Sequence, residues 1–384
     1  MRIEGRLVTP DGVREHGRLA VDGDTITEVA TTDGGPAGVH ASASASASAS
    51  ASASASGWIV PGFVDIHNHG GGGHTFTTGD PDSARRAAAF HLAHGTTSLL
   101  ASLVSSPVEL MRDAVTRYAP LVADGTLAGL HFEGPYLSVV RCGAQNPAYL
   151  RDPEPDELAG LLDLGDGVIR MVTVAPERTG ALAAIARLVD AGVVAAIGHT
   201  DAGYDQTRAA IDAGATAGTH LFNGMRPPHH REPGPVFALL GDDRVTCELI
   251  ADGVHLHDGT LTFATSVGGP GRTALVTDAM AAAGMPDGAY ELGGQAVTVS
   301  DSVARLARDG SIAGSTLTMD AALRRAVAAG IDIVDAVRMA ATTPAATVGL
   351  AGTVGALAPG HRADLVELDD DLRVRRVMRA GVWQ

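Results

Sequence analysis

From residue 59 onward the chain alternates short apolar runs with helical stretches, and it carries eight such runs. The runs are "IVPGFVDIH", "TTSLLAS", "LAGLHFEG", "IRMVTVAP", "VVAAIGHT", "TAGTHLFN", "VTCELIAD" and "TALVTDAM". Between them lie stretches such as "DSARRAAAFHLAHG", "PVELMRDAVTRYAPLVADG", "ALAAIARLVDAG" and "DQTRAAIDAG", several ending in Gly, a common helix stop. Eight strands separated by helices predict a parallel (β/α)8 barrel of the TIM type, with a doubly wound open sheet as the alternative. At 384 residues, 45% of them apolar, the chain is long enough for such a barrel plus an accessory domain.

The two ends read differently. "MRIEGRLVTPDG" and "GRLAVDGDTITEVA" at the start, and "ADLVELD" and "VRRVMRAG" at the finish, are short strands broken by turns. They are expected to combine into one small β-sandwich domain, residues 1–57 and 353–384, bracketing a catalytic barrel at 58–352. Within the first part, the "ASASASASASASASAS" tract at 41–56 has no side chain able to pack and reads as linker or filler.

Charge narrows the partners. The formal net charge is −16 and no basic stripe opposes it, which argues against nucleic acid. An anionic substrate would need a local cationic pocket. Only Cys142 and Cys247 are present, no apolar signal core opens the chain, and no apolar run is long enough to span a bilayer. The expectation is a soluble, cytoplasmic protein without a membrane partner.

The polar residues fall in one place. Positions i and i+2 of a strand face the same side, so His67 and His69 in "VDIHNHGGGGH" project together from the end of the first barrel strand. Glu133 ends the third strand, His199 the fifth, His220 the sixth and Asp278 the eighth. Barrel chemistry is assembled at that rim. A lone strand-end histidine is usually a hydrogen-bonded core residue, but four imidazoles and a carboxylate on one rim suit one or two divalent metals. Zinc fits these ligands, with manganese, iron or cobalt as other candidates. The Gly70–Gly73 run would let backbone approach the site.

The segments "PGFVDIHNHG", "HFEGPYLS", "GHTDAGYDQTRAAIDAGATAGTHLFNGMRP", "REPG", "ADGVHLH", "LVTDAM" and "IAGSTLTM" resemble the N-acetylglucosamine-6-phosphate deacetylases of the amidohydrolase superfamily. The resemblance covers roughly residues 58–350. It implies hydrolysis of an N-acetyl amide on a phosphorylated amino sugar, in amino-sugar catabolism or recycling. It implies Glu133, His199 and His220 as principal metal ligands and His67 and His69 as a second-site pair, hence two ions with Glu133 bridging. Asp278 matches the family's catalytic aspartate. Asn223, the backbone of Gly224, and His255 match substrate contacts, and Ile312, Ala313 and Gly314 match a segment lining the sugar pocket. Arg231 matches an arginine that reaches the phosphate across a homodimer interface.

One position departs from the family pattern. Gln145, in "RCGAQNP", stands where the family usually has a histidine that contacts substrate near the reacting carbonyl. Glutamine can donate a hydrogen bond but cannot become cationic, so a lower rate is expected. Two other readings stay open from the residues alone: another amidohydrolase acting on a cyclic amide or an N-acyl amino acid, and a catalytically impaired binding form. Cys142, His229 and His230 read as incidental loop residues, and His74 and His131 as supporting ones.

Overall fold

The structure, a computed structural model, describes residues 1–31 and 57–384; the Ala-Ser tract at 41–56 lies outside them. Eight parallel strands stand side by side in chain order: Phe63–Asp65, Thr96–Val104, Gly129–Glu133, Ile169–Val174, Val194–Ile197, Ala217–Gly218, Thr246–Ile250 and Thr273–Val276. Seven ladders join neighbours. The first and eighth strands meet just beyond their ends, where Asp278 N–H donates to His67 O (2.9 Å) and His69 N–H donates to Ala279 O (2.8 Å). The cylinder is therefore stitched shut by backbone of the very residues singled out above.

The sequence shows why these strands are interior. All nine residues of Thr96–Val104 are buried, as a strand covered by barrel core on one face and helices on the other must be. Leu100, Leu130, Val174, Ile197, Leu249 and Leu275 join one continuous core. The helices enter with local signals: Asp80 caps Pro81–Ala93 by accepting from Asp82 and Ser83 N–H, and Pro81 supplies a preset φ at the first turn. Just under the rim a polar chain crosses the barrel. His131 Nδ1 meets Ser102 Oγ (2.9 Å), its Nε2 meets Thr173 Oγ1 (2.8 Å), and Thr173 meets Thr219 (2.9 Å). Burial, reinforced by the neighbouring His67, holds the His131 ring well below the usual histidine range, so it is a neutral strut.

The two chain ends pair with each other. Strands Arg2–Thr9, Gly12–Asp22, Thr25–Thr31, Leu365–Leu368, Val374–Arg379 and Val382–Trp383 form one seven-stranded sheet, completed by Trp58–Pro61. Ile3, Leu7, Leu19, Ile26, Leu365 and Met378 give it a core of its own.

Two features differ from the sequence expectation. The run "IVPGFVDIH" is two strands: Trp58–Pro61 pairs with Leu365–Leu368 in the terminal sheet, and the barrel begins at Phe63. Gly62 makes the step, because a Cβ there would lie 2.2 Å from Thr97 Oγ1. Residues 288–306 form a three-stranded antiparallel sheet beside the rim, packed on Val104 and Met280 through Leu292, Val297 and Leu306.

Candidate metal centre

Three of the polar rim residues arrive by the same device. Glu133 is the last residue of its strand, and His199, His220 and Asp278 each stand two residues beyond theirs. Those three have positive φ (45°, 29° and 49°). Left-handed backbone at a non-glycine residue costs about 1–3 kcal/mol and persists only where the surroundings enforce it. Here it swings each side chain off the strand and into the barrel mouth. Gly224 is required for a neighbouring reason: its φ is +60° and a Cβ would sit 2.8 Å from His199 Nδ1.

The side chains converge. Glu133 Oε1 lies 2.9 Å from both His199 Nε2 and His220 Nε2, which are 3.1 Å apart. Glu133 Oε2 lies 3.2 Å from His69 Nε2, and His67 Nε2 is 3.2 Å from His69 Nε2. Asp278 Oδ1 stands 3.3 Å from His69 Nε2 and 3.5 Å from His67 Nε2. Two triads result, His67–His69–Glu133 and Glu133–His199–His220, all buried and sharing the glutamate.

The ring nitrogens identify what belongs between them. His67 Nδ1 is held by Glu248 Oε2 (2.9 Å), His69 Nδ1 by Ser102 O (3.1 Å) and His199 Nδ1 by Arg141 O (2.8 Å). Each partner is an acceptor, so each Nδ1 carries the proton and each Nε2 presents a lone pair. Lone pairs of His67 and His69 aimed at one another across 3.2 Å repel unless a cation lies between them. The electrostatics agree. Burial disfavours a charged His69, yet hydrogen bonds and attraction from Asp278 and Glu133 overcome it and raise the ring to about 9. Burial works against ionisation of Asp278 too, but His67 and His69 outweigh it and leave the carboxyl at about 2. A cluster that draws positive charge this strongly, with bare imidazole nitrogens and carboxylates, fits a divalent metal. Glu133 is the residue the two triads share, with Oε1 toward His199 and His220 and Oε2 toward His69.

The cluster floors a cavity of about 330 Å³. Its wall includes Gln145, Asn223, Gly224, His255, Ile312 and Gly314, bringing six further sequence-predicted residues to the same place. His255 is oriented by Asp252, which accepts from its Nδ1 (2.7 Å). Arg231 is elsewhere: it is exposed in the 226–233 loop, beside His230, and does not line the cavity of its own chain. Ala313 also does not line it; the residue is buried in the core beneath the rim sheet.

The profile of the amidohydrolase family matches residues 58–383. The chain belongs to the amidohydrolase family. This amidohydrolase is 40% identical to the N-acetylgalactosamine-6-phosphate deacetylase of Escherichia coli O157:H7 over 84% of its own length and 86% of the relative's. It is 36% identical to the N-acetylglucosamine-6-phosphate deacetylase of Lysinibacillus sphaericus, with 84% of each chain covered. Its fold superposes with a TM-score of 0.92 on an aspartate-to-alanine variant of N-acetyl-D-glucosamine-6-phosphate deacetylase from Mycobacterium smegmatis, in complex with N-acetyl-D-glucosamine-6-phosphate. That comparison has 48% identity and covers 100% of this chain and 98% of the other.

Three roles in this amidohydrolase were not legible from sequence. Gln145 is nearly inaccessible and both its ends are engaged: Oε1 accepts from Ser105 N–H (2.7 Å) and Nε2 donates to Glu133 Oε2 (2.6 Å). It braces the shared glutamate from the cavity wall. Asp65 accepts from Asn68 Nδ2 (2.9 Å) and Thr277 Oγ1 (2.6 Å), tying the ends of the first and eighth strands together. Glu248 holds His67. The Gly70–Gly73 run packs against the segment after Asp278, with Gly72 and Gly73 N–H donating to Ala283 and Ala281 O, rather than against the ligands.

Proposed function

We propose that this chain is a metal-dependent deacetylase that converts N-acetylglucosamine 6-phosphate and water to glucosamine 6-phosphate and acetate. The observation that carries this reading is the meeting of four imidazole nitrogens, Glu133 and Asp278 at the floor of one cavity. We assign two zinc ions, one to Glu133, His199 and His220 and the other to His67, His69 and Glu133. Such ions supply Lewis acidity and water that ionises near pH 7 in place of ~15.7.

The chain's own groups do the rest. Asp278, ionised at neutral pH, accepts a proton from the attacking water and delivers it to the departing amide nitrogen, which cannot leave as an anion. Asn223 and the backbone of Gly224 are assigned to the phosphate side of the substrate, and His255, fixed by Asp252, is a further substrate contact. Ile312 and Gly314 offer an adjoining wall, with Ala313 supporting it from the core. Gln145 acts on substrate through Glu133, on which its Nε2 is spent.

Arg231 is assigned to the phosphate of a partner copy's substrate, since its guanidinium is exposed and off its own cavity. A homodimer is supported by Phe237, Phe263 and Val267, about half exposed on the adjacent helices Gly234–Leu240 and Asp258–Gly268 that follow the Arg231 loop. Among the described residues no helix is long and apolar enough to cross a membrane. Two free cysteines favour a reducing, cytoplasmic setting.

A second reading, the galacto epimer of the same substrate, is favoured by the 40% identical relative. Acetate release from each N-acetylhexosamine 6-phosphate, with and without added zinc, decides between them. No zinc-dependent release from either sugar would sink both.

A further inference from the structure

Glu248 lies in the middle of the seventh barrel strand, Thr246–Ile250, and is wholly buried. An ionised carboxylate is held in such a place only by charge or hydrogen-bond compensation. Among the described residues its side-chain hydrogen-bond partner is His67, whose Nδ1–H donates to Oε2 at 2.9 Å. The same Oε2 accepts from the backbone N–H of His220 at 3.0 Å. Oε1 has no hydrogen-bond partner among the described residues.

This one oxygen thus touches a member of each triad in a different way. On His220 it grips backbone and leaves the ring untouched; the ring reaches Glu133 on its own. On His67 it grips the ring itself, and with it the choice of tautomer. Without Glu248, no other contact of His67 among the described residues commits its proton to Nδ1, and Nε2 would be free to carry it. A protonated Nε2 cannot be a ligand. His69 and His199 depend instead on main-chain carbonyls, which no side-chain replacement removes.

We propose that Glu248 is the positioning residue that makes the His67–His69–Glu133 triad a metal site, and that the Glu133–His199–His220 triad does not depend on it for affinity. The inference rests on the reading of the cluster as a metal centre. A carboxylate behind a ligating imidazole fixes ring orientation and raises its basicity, and losing one weakens metal binding by about 10–100-fold.

The test is a stepwise titration of the metal-free full chain with zinc against a chromogenic chelator, backed by cobalt(II) absorption spectra. Wild type, Glu248→Gln and Glu248→Leu are compared, with circular dichroism confirming the fold. Glutamine keeps an acceptor for His67 and His220 without the charge; leucine removes the acceptor at similar volume and risks stranding the His220 N–H. Wild type is expected to bind two equivalents. In Glu248→Leu the second equivalent weakens 10–100-fold while the first changes less than about threefold, and Glu248→Gln falls between. A purely structural Glu248 would lower thermal stability and leave the ratio of the two affinities unchanged, which overturns the proposal. Equal weakening of both equivalents in a folded variant overturns it as well. If leucine prevents folding, the glutamine variant carries the test, and an unaltered affinity ratio there refutes the assignment. Wild type that binds no metal would instead refute the metal centre itself.

Discussion

Replacing Asp278 by asparagine isolates the proton-transfer step from everything else in the site. The substitution keeps shape, and asparagine tolerates the left-handed backbone (φ 49°) that this position requires. The main-chain anchors are unaffected: Asp278 N–H donates to His67 O at 2.9 Å and its carbonyl accepts from Ser315 N–H at 2.7 Å. What is lost is the base. Burial opposes ionisation of Asp278, but His67 and His69 outweigh burial and hold the carboxyl below its usual range, so the wild type carries an ionised base at neutral pH. An amide cannot take a proton from water or return one to nitrogen. Removing a positioned acid–base group costs about 10²–10⁴ in rate, or ~3–5 kcal/mol of barrier. The metal ligands keep their own geometry, because Asp278 contacts His67 and His69 only at 3.3–3.5 Å and holds neither Nδ1. The expected result is normal metal content, little change in KM, and kcat for acetate release at least a hundredfold lower across pH 6–9. A variant within tenfold of wild type at full metal content would show that Asp278 does not carry the proton.

Three further outcomes are expected. Gln145→His, which cannot keep both the Ser105 N–H and the Glu133 contacts, should lower kcat by loosening the shared glutamate; an equal or higher rate at full metal content would show that the brace is dispensable. Arg231→Ala should reduce kcat/KM for the 6-phosphorylated sugar far more than for the unphosphorylated one, and equal loss on both removes phosphate recognition from this residue. His91 makes stability depend on pH: its ring is buried, Nε2 donates to Gly70 O, Nδ1 has no hydrogen-bond partner among the described residues, and burial lowers it to about 4. Between pH 6.5 and 4 the unfolded chain takes up a proton the folded one refuses, so stability falls as pH drops through that window, by about 3 kcal/mol for this group. Denaturant midpoints of wild type and His91→Gln should diverge over that range; parallel curves would refute it.

The barrel was legible because eight apolar runs separated by helical stretches leave few ways to bury both faces of a parallel sheet. The terminal sheet was legible through alternation in "GRLAVDGDTITEVA" and its counterpart at the other end. The break within "IVPGFVDIH" was not, because two buried strands in tandem look like one; only Thr97, packed against Gly62, marks the corner. The rim sheet at 288–306 escaped for a similar reason. Its strands are short and half exposed, and what they cover is decided by Val104 and Met280, far away in sequence.

For the site itself, residue type and strand-end position brought His67, His69, Glu133, His199, His220 and Asp278 to one rim, since strands in chain order put all their carboxyl ends on the same side. Sequence could not say which nitrogen of each ring faces inward. That depends on Glu248, Ser102 O and Arg141 O, one a strand residue indistinguishable from core filler and two of them main-chain atoms. It could not say that Gln145 braces Glu133, because the two meet only after a loop folds back over the rim. Sequence fixes which chemical groups are available and roughly where along each strand they stand. Tautomer, charge and bracing are set by contacts across the barrel, between atoms that chain order leaves far apart.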